Sequence, residues 1–163
     1  MYVFDDVYPE FMLDYYKNKL ASHFKKMTDE GNHYFHFYPT RNIRFLEDEQ
    51  IITDITKYIE SKLRVKLTCR GAELQTWPID SFSPMHIHDE AQRASNDEDF
   101  NSILYLNDDF EGGEFFTEDG ITIKPKKNRL TFFNGKEIGH GLNKVLKSHR
   151  YTIVFWWQNT EFY

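Results

Sequence analysis

Hydrophobic residues in the first 64 positions repeat at helical spacing. The pattern predicts a short strand at residues 1–4 and helices at about 9–26 and 48–62, and Pro9 is tolerated in the first turn of a helix. The apolar faces consist of Phe11, Tyr15, Leu20, Phe24 and Met27 in the first helix, and of Ile51, Ile52, Ile55, Tyr58 and Ile59 in the second.

After residue 65 the pattern changes to short apolar runs separated by turn residues such as Gly112-Gly113 and Asn134-Gly135. Strands are predicted at 73–77, 82–89, 100–107, 114–117, 121–123, 129–134 and 149–158. This order of elements predicts an α+β fold in which two N-terminal helices support a jelly roll. We expect one domain over 1–163, with a helical part at about 1–64 and a jelly-roll core at about 65–163.

Composition narrows the class of protein. A hydrophobic fraction of 40% and a net charge of −6 are typical of a folded soluble protein, and the acidic balance argues against a nucleic-acid partner. No apolar run approaches the roughly 18 residues of a membrane span, and no leader is recognisable. The single cysteine, Cys69, excludes an internal disulfide framework and an all-cysteine metal site. A cytoplasmic location with no membrane partner is predicted.

Three histidines of the second half are candidate metal ligands. His86 and His88 are two residues apart, so on a strand they point to the same face, and His140 would join them from a later strand. Imidazoles that hold one face of an ion leave positions for other ligands, as in mononuclear iron sites. Glu90 forms a second same-face pair with His88 and is an alternative ligand to one of the first two histidines.

Arg150 opens an alternating apolar strand, where a guanidinium is costly to bury alone. One interpretation is that it binds an incoming carboxylate in bidentate fashion. The other is that it lies at the wet end of the strand and pairs with an acidic side chain.

Several motifs together resemble one family. They are 102–107 (SILYLN) followed by 111–116 (EGGEFF), Pro125 before 129–133 (RLTFF), His140 followed by Arg150-Tyr151 and Trp156, and 77–86 (WPIDSFSPMH). In this order they resemble the prolyl-4-hydroxylase-like branch of the Fe(II)/2-oxoglutarate-dependent dioxygenases. The resemblance implies a double-stranded β-helix (jelly roll).

The resemblance also implies roles. His86 and His140 become iron ligands, Arg150 binds the distal carboxylate of 2-oxoglutarate, and the Tyr105 hydroxyl assists it. Trp77 stands near an aromatic position that faces the co-substrate in relatives, although it lacks a phenol. The family's carboxylate ligand falls on His88.

Three interpretations of His88 follow. His86, His88 and His140 form a three-histidine site, which we favour from the spacing to Trp77 and Pro84. Alternatively, His88 and Glu90 are the strand pair and displace His86. In the third, His88 weakens the metal and signals altered or lost activity.

The implied activity is hydroxylation of a C–H bond with decarboxylation of 2-oxoglutarate to succinate. The expected metal is Fe(II), dioxygen is consumed, and ascorbate is a possible reductant. The substrate would be a peptidyl prolyl or other amino-acid residue, or a small molecule. The main alternative is a non-catalytic jelly-roll module that binds metal or a dicarboxylate, and a zinc- or copper-binding cupin-like protein is a third candidate.

Two further expectations concern the surroundings of the site. Trp77, Phe116, Phe133 and Trp156 are expected to line it and exclude water, or else to fill the core. The polar segment 89–99 is either a solvated loop or a flap over the site.

Overall fold

The fold comes from a computed structural model that describes residues 1–29, 42–88 and 99–160. Two helices, α1 (Glu10–Asp29) and α2 (Glu49–Lys62), precede most of the strands. The strands are β1 (Tyr2–Asp5), β2 (Asn42–Phe45), β3 (Leu67–Trp77), β4 (Ser83–His86), β5 (Phe100–Tyr105), β6 (Glu111–Gly112), β7 (Phe115–Thr117), β8 (Thr122–Ile123), β9 (Arg129–Phe133), β10 (His140–Leu142), β11 (Val145–Leu146) and β12 (Arg150–Asn159).

The larger sheet has six strands in the order β1-β9-β5-β12-β3-β2. Its centre is β12, which is antiparallel to β5 on one side and to β3 on the other. Both edges come from the N-terminal part of the chain, because β1 pairs with β9 and β2 pairs with β3. Strands distant in sequence therefore complete this sheet.

The two helices cover one face of the larger sheet. Alternate residues of β12 point to opposite faces, and Ile153 and Phe155 are packed in one buried cluster with α1 and α2. The helices contribute Leu13, Tyr16, Leu20, Ile51, Ile55 and Ile59 to that cluster, each no more than 1% exposed. Asp48 caps α2, since its side chain accepts the backbone N–H of Gln50 at 3.0 Å.

The side chains on the opposite face of the larger sheet point into the interior of the jelly roll. A four-stranded sheet in the order β4-β10-β7-β8 and the β11-β6 pair accompany it. A second buried cluster of Ile103, Tyr105, Phe115 and Phe133 combines residues of the two larger sheets. The predicted α+β class with a jelly roll and two supporting helices is confirmed.

Most predicted elements lie close to observed ones, with differences at their ends. The strand predicted at 82–89 ends at His86, and the one predicted at 73–77 begins at Leu67. Strands β2, β6, β10 and β11 were not predicted, and three of them have only two or three residues. The single domain and its division near residue 64 stay predictions. Among the described helices, none has the length and hydropathy needed to cross a bilayer.

Candidate metal and co-substrate site

Three imidazoles converge where β4 ends and β10 begins in the four-stranded sheet. His86 ends β4 and His140 opens β10, and the antiparallel register places them opposite each other. Their ring centroids are 4.4 Å apart. His88 lies two residues beyond β4, and its Nε2 is 3.2 Å from Nε2 of His140. One ring nitrogen from each of the three lies within 4.8 Å of the others, which is compatible with a shared metal ion.

Backbone carbonyls orient two of these rings. Nδ1 of His86 is 2.9 Å from the carbonyl oxygen of Pro84, and Nδ1 of His140 is 2.7 Å from that of Ile138. A carbonyl only accepts, so each Nδ1 carries the proton and each Nε2 keeps its lone pair. This arrangement presents Nε2 of both residues to a metal.

A turn between β9 and β10 holds the third histidine. The backbone N–H of His88 donates to the carbonyl of Gly135 at 2.8 Å. The Asn134 side chain accepts two N–H groups within the turn, and its carbonyl accepts from Ile138. One turn thus supports both His88 and the carbonyl that orients His140. The strand predicted at 82–89 ends at His86. The backbone N–H of His88 bonds to this turn and therefore does not continue the pairing with β10.

Burial keeps His140 neutral. Its side chain packs beside the rings of Phe115 and Phe133, and the residue is 5% exposed. This desolvation lowers the pKa of His140 to about 3, and His88 and His86 lower it further, whereas the hydrogen bond to Ile138 opposes the shift. A neutral imidazole is the form that binds a metal.

Arg150 lies on the inner face at the start of β12 and is 2% exposed. Its Nε and Nη2 have no hydrogen-bond partner among the described residues. The Cζ atom is 5.0 Å from the Tyr105 ring centroid and 5.9 Å from that of Trp77. Burial lowers the pKa of Arg150, and the neighbouring Tyr105 opposes the shift. The wet-end ion pair that the sequence allowed is not formed within the described part of the chain.

Other polar side chains on this inner face also lack partners among the described residues. The Tyr105 hydroxyl is buried without one, as is the hydroxyl of Thr152 opposite it in the register. Thr131 and Asn101 complete the set. Buried polar atoms are normally paired, so these groups favour a polar ligand inside the jelly roll. Thr152 could have been found from the sequence, since it follows Arg150 by two positions.

Of the four aromatic residues predicted to line the site, three lie on the inner face of the jelly roll and one does not. Phe133 lies 5.0 Å from His140 between ring centroids, and Trp77 flanks Arg150 with its indole N–H donated to Gln75. Trp156 shares the face of Arg150 by alternation along β12. Phe116 does not line the site: it is opposite Gly141 in the register, on the other face from His140. Glu90 and nearly all of segment 89–99 lie outside the described residues.

A family model described as the 2OG-Fe(II) oxygenase superfamily matches residues 75–158, just over half of the chain. The chain belongs to this superfamily. The matched range contains the three histidines, Tyr105 and Arg150. The predicted superfamily is confirmed, and with it Fe(II) and 2-oxoglutarate, which its description names. Ascorbate stays a prediction.

Curated relatives are prolyl 3-hydroxylases. Human prolyl 3-hydroxylase 2 is 48% identical over 65 residues, covering 36% of this chain and 9% of the relative. Rat prolyl 3-hydroxylase 1 is 34% identical over 110 residues, covering 55% of this chain and 15% of the relative. The chain therefore spans less than a sixth of the length of these relatives.

Solved structures agree on the fold. The viral collagen prolyl hydroxylase from Paramecium Bursaria Chlorella virus-1, in its 2OG complex, matches with a TM-score of 0.71 at 17% identity, covering 98% of this chain and 96% of that one. A Trichoplax adhaerens prolyl hydroxylase in complex with a hypoxia inducible factor peptide matches with a TM-score of 0.69 at 13% identity, over 97% and 83% of the two chains.

Proposed function

We propose that this protein is an Fe(II)- and 2-oxoglutarate-dependent dioxygenase that hydroxylates a C–H bond of a peptidyl prolyl residue. Two observations together carry the proposal. Three imidazole nitrogens lie within 4.8 Å of one another, and Nε and Nη2 of a buried arginine on the inner face have no partner among the described residues. One molecule each of 2-oxoglutarate, dioxygen and substrate would give succinate, carbon dioxide and the hydroxylated product.

The three histidines fit a metal ion because their donor nitrogens converge and two of the rings are already oriented for it. We assign His86, His88 and His140 as the ligands. The bound iron would supply the oxidative chemistry, and the protein would supply position and electrostatics. Around it, Phe115 and Phe133 pack beside His140 and keep water from that ring.

Arg150 fits the distal carboxylate of 2-oxoglutarate. Its buried guanidinium lacks a described partner, and a carboxylate would accept two of its N–H groups. Tyr105 has a buried hydroxyl beside Arg150 and would donate to the same carboxylate. Thr152 would add a third polar contact from β12. Trp77 would act as an apolar flank, because its N–H is already donated to Gln75.

His88 changes the charge of the proposed site. A divalent ion, three neutral imidazoles, the Arg150 cation and a dianionic co-substrate sum to one positive charge. An aspartate or glutamate at His88 would bring that sum to zero. The three-histidine site would therefore attract an anionic co-substrate more strongly and hold its metal with less charge compensation.

The prolyl substrate class is supported by the curated prolyl 3-hydroxylases, although this chain covers only a small part of them.

Succinate release separates the enzyme from the non-catalytic module. Wild-type protein with Fe(II), 2-oxoglutarate and proline-containing peptides should release succinate and produce hydroxyproline, and a His140→Ala variant should not. Binding of both ligands by wild-type protein without succinate release, with proline peptides and free amino acids present, would identify a non-catalytic module. Ascorbate dependence is read in the same assay.

A cytoplasmic location and the absence of nucleic-acid and membrane partners also remain proposals. They are supported by the single cysteine and the net charge of −6. Fractionation of the cells that produce the protein tests the location.

A further inference from the structure

Asn101 is a buried amide that the proposed co-substrate contacts do not use. It lies on β5, four residues before Tyr105, and alternation places both side chains on the inner face. The residue is 1% exposed. Neither its Oδ1 nor its Nδ2 has a hydrogen-bond partner among the described residues. An amide so placed is costly to keep unless it pairs in the working state of the protein.

Gly135 brings this amide next to His88. A Cβ atom added to Gly135 would lie 2.3 Å from Oδ1 of Asn101 and 2.7 Å from Nδ1 of His88. The two atoms are therefore at most 5.0 Å apart, the sum of these distances. Because Gly135 has no side chain, nothing from that residue separates them. The two groups are not hydrogen-bonded to each other as they stand, so pairing them requires rotation about side-chain bonds.

The ring nitrogen of His88 near Asn101 is Nδ1, the outer nitrogen, which points away from His140. Nε2 of His88 points toward His140, at 3.2 Å from its Nε2, so Nδ1 lies on the far side of the ring. The corresponding atoms of His86 and His140 each face a carbonyl oxygen. Metal-bound histidines generally donate this second N–H to an acceptor, which fixes the tautomer.

We propose that Asn101 is a positioning residue whose Oδ1 accepts the Nδ1–H of His88 and holds Nε2 toward the metal. The inference rests on the proposed three-histidine site. An amide can serve an imidazole at position 88, because its Oδ1 accepts the N–H that points away from the metal.

The test uses the 163-residue chain, labelled with ¹⁵N-histidine and loaded with Zn(II), which is diamagnetic. In wild-type protein, NMR should show His88 with a proton on Nδ1 that exchanges slowly with water. In Asn101→Leu that proton should exchange faster, and Zn(II) affinity measured by chelator competition should fall about 10-fold or more. Asn101→Asp restores an acceptor and should restore the slow exchange.

Thr76→Val is the matched control. Thr76 is also buried with a hydroxyl that lacks a described partner, but it is opposite Tyr151 in the register, on the helix-covered face. This variant should leave His88 exchange and zinc affinity unchanged. If Asn101→Leu does not fold, Asn101→Ala gives the same comparison.

Two outcomes would overturn the inference in distinguishable ways. Zinc bound as tightly by Asn101→Leu as by wild type, with unchanged exchange at His88, would overturn the role of Asn101 alone. Failure of wild-type protein to bind Zn(II) or Fe(II) would overturn the three-histidine site and the inference with it.

Discussion

Removing the buried charge of Arg150 should affect the binding of 2-oxoglutarate and of the metal differently. Arg150→Leu should weaken 2-oxoglutarate binding by about 2–5 kcal/mol, because the co-substrate loses a desolvated charged contact. Metal affinity should change little, since the rings that flank its guanidinium are those of Tyr105 and Trp77. Calorimetric titration of each ligand measures both values. Arg150→Lys keeps the charge without the bidentate geometry, so its affinity for 2-oxoglutarate should lie between those of wild type and Arg150→Leu. Equal loss of affinity for the metal and for 2-oxoglutarate in Arg150→Leu would contradict the assigned role.

His88 can be tested by restoring a carboxylate. His88→Asp should retain or raise Fe(II) affinity if this residue occupies the ligand position, since an added negative charge favours a divalent ion. His88→Ala is the control and should lower affinity. Chelator competition measures all three proteins. Complete loss of metal in His88→Asp would mean that the imidazole itself is required.

Gly135 is a glycine because two side chains approach it closely. Gly135→Ala would place a methyl group 2.7 Å from Nδ1 of His88, so the ring must move. We expect metal affinity to fall by roughly 10-fold or more. Gly71→Ala is the control, as its added Cβ meets its nearest atom, on Trp156, at an ordinary 3.8 Å. Equal metal affinity in both variants would exclude a steric role for Gly135.

At the scale of single residues, the sequence predicted the side chains that would bind the metal and the co-substrate better than the residues that hold those side chains in place. His86 and His88 were recognisable because of their spacing, and Arg150 because a charge opened an apolar strand. Asn101 and Gly135 were not, because their importance depends on which atoms approach them across the fold. That information is absent from residues 101 and 135 taken alone.

Among the elements, α2 depends on a cap that also joins the two helices. Asp48 accepts the N–H of Gln50 and the hydroxyl of Tyr16. The hydrogen bond from Tyr16 is the main reason that the pKa of Asp48 is lowered. Asp48→Ala should lower the free energy of unfolding by about 1–2 kcal/mol from the cap, and by more if the Tyr16 hydroxyl stays unpaired.

Urea denaturation measures this loss, and Asp48→Asn is the matched control. Asparagine is also a good N-cap and retains an acceptor, so it should cost less than alanine. Metal affinity should not change in either variant, because the helices cover the face of the sheet opposite the histidines. A change in metal affinity would show that the helices act on the site.

Long elements were predictable and short ones were not. α2 begins within one residue of its prediction and ends at the predicted residue because its apolar spacing and its cap agree. β10 consists of His140, Gly141 and Leu142, which carry no strand preference of their own. Its strand character comes from pairing with β4 and β7. Tertiary partners thus determine the element that carries a candidate ligand.

Acid should destabilise the whole molecule through His140. Its pKa is about 3 in the folded protein, against an ordinary value of 6.5, so the unfolded chain binds the proton more readily. The contribution of His140 to the free energy of unfolding is therefore fully present above pH 6.5 and is lost as the pH falls toward 3. The slope approaches about 1.4 kcal/mol per pH unit for this group.

Urea unfolding in the presence of a chelator, from pH 7 to pH 4.5, measures the slope. His140→Gln removes this titration, so the stability difference between the two proteins should shrink as the pH falls. His149, whose pKa is also lowered by burial, is present in both proteins and cancels in the comparison. A difference independent of pH would show that His140 is not held neutral.

The position of β12 constrains when the molecule can assemble during synthesis. This strand lies between β5 and β3, so until it emerges from the ribosome the larger sheet can form only as two separate groups, β1-β9-β5 and β3-β2. The last described strand to be made joins them and carries Arg150 at its first position. A nascent chain that stops before residue 150 therefore has all three histidines but no proposed co-substrate anchor, and it exposes two unpaired strand edges to chaperones and proteases.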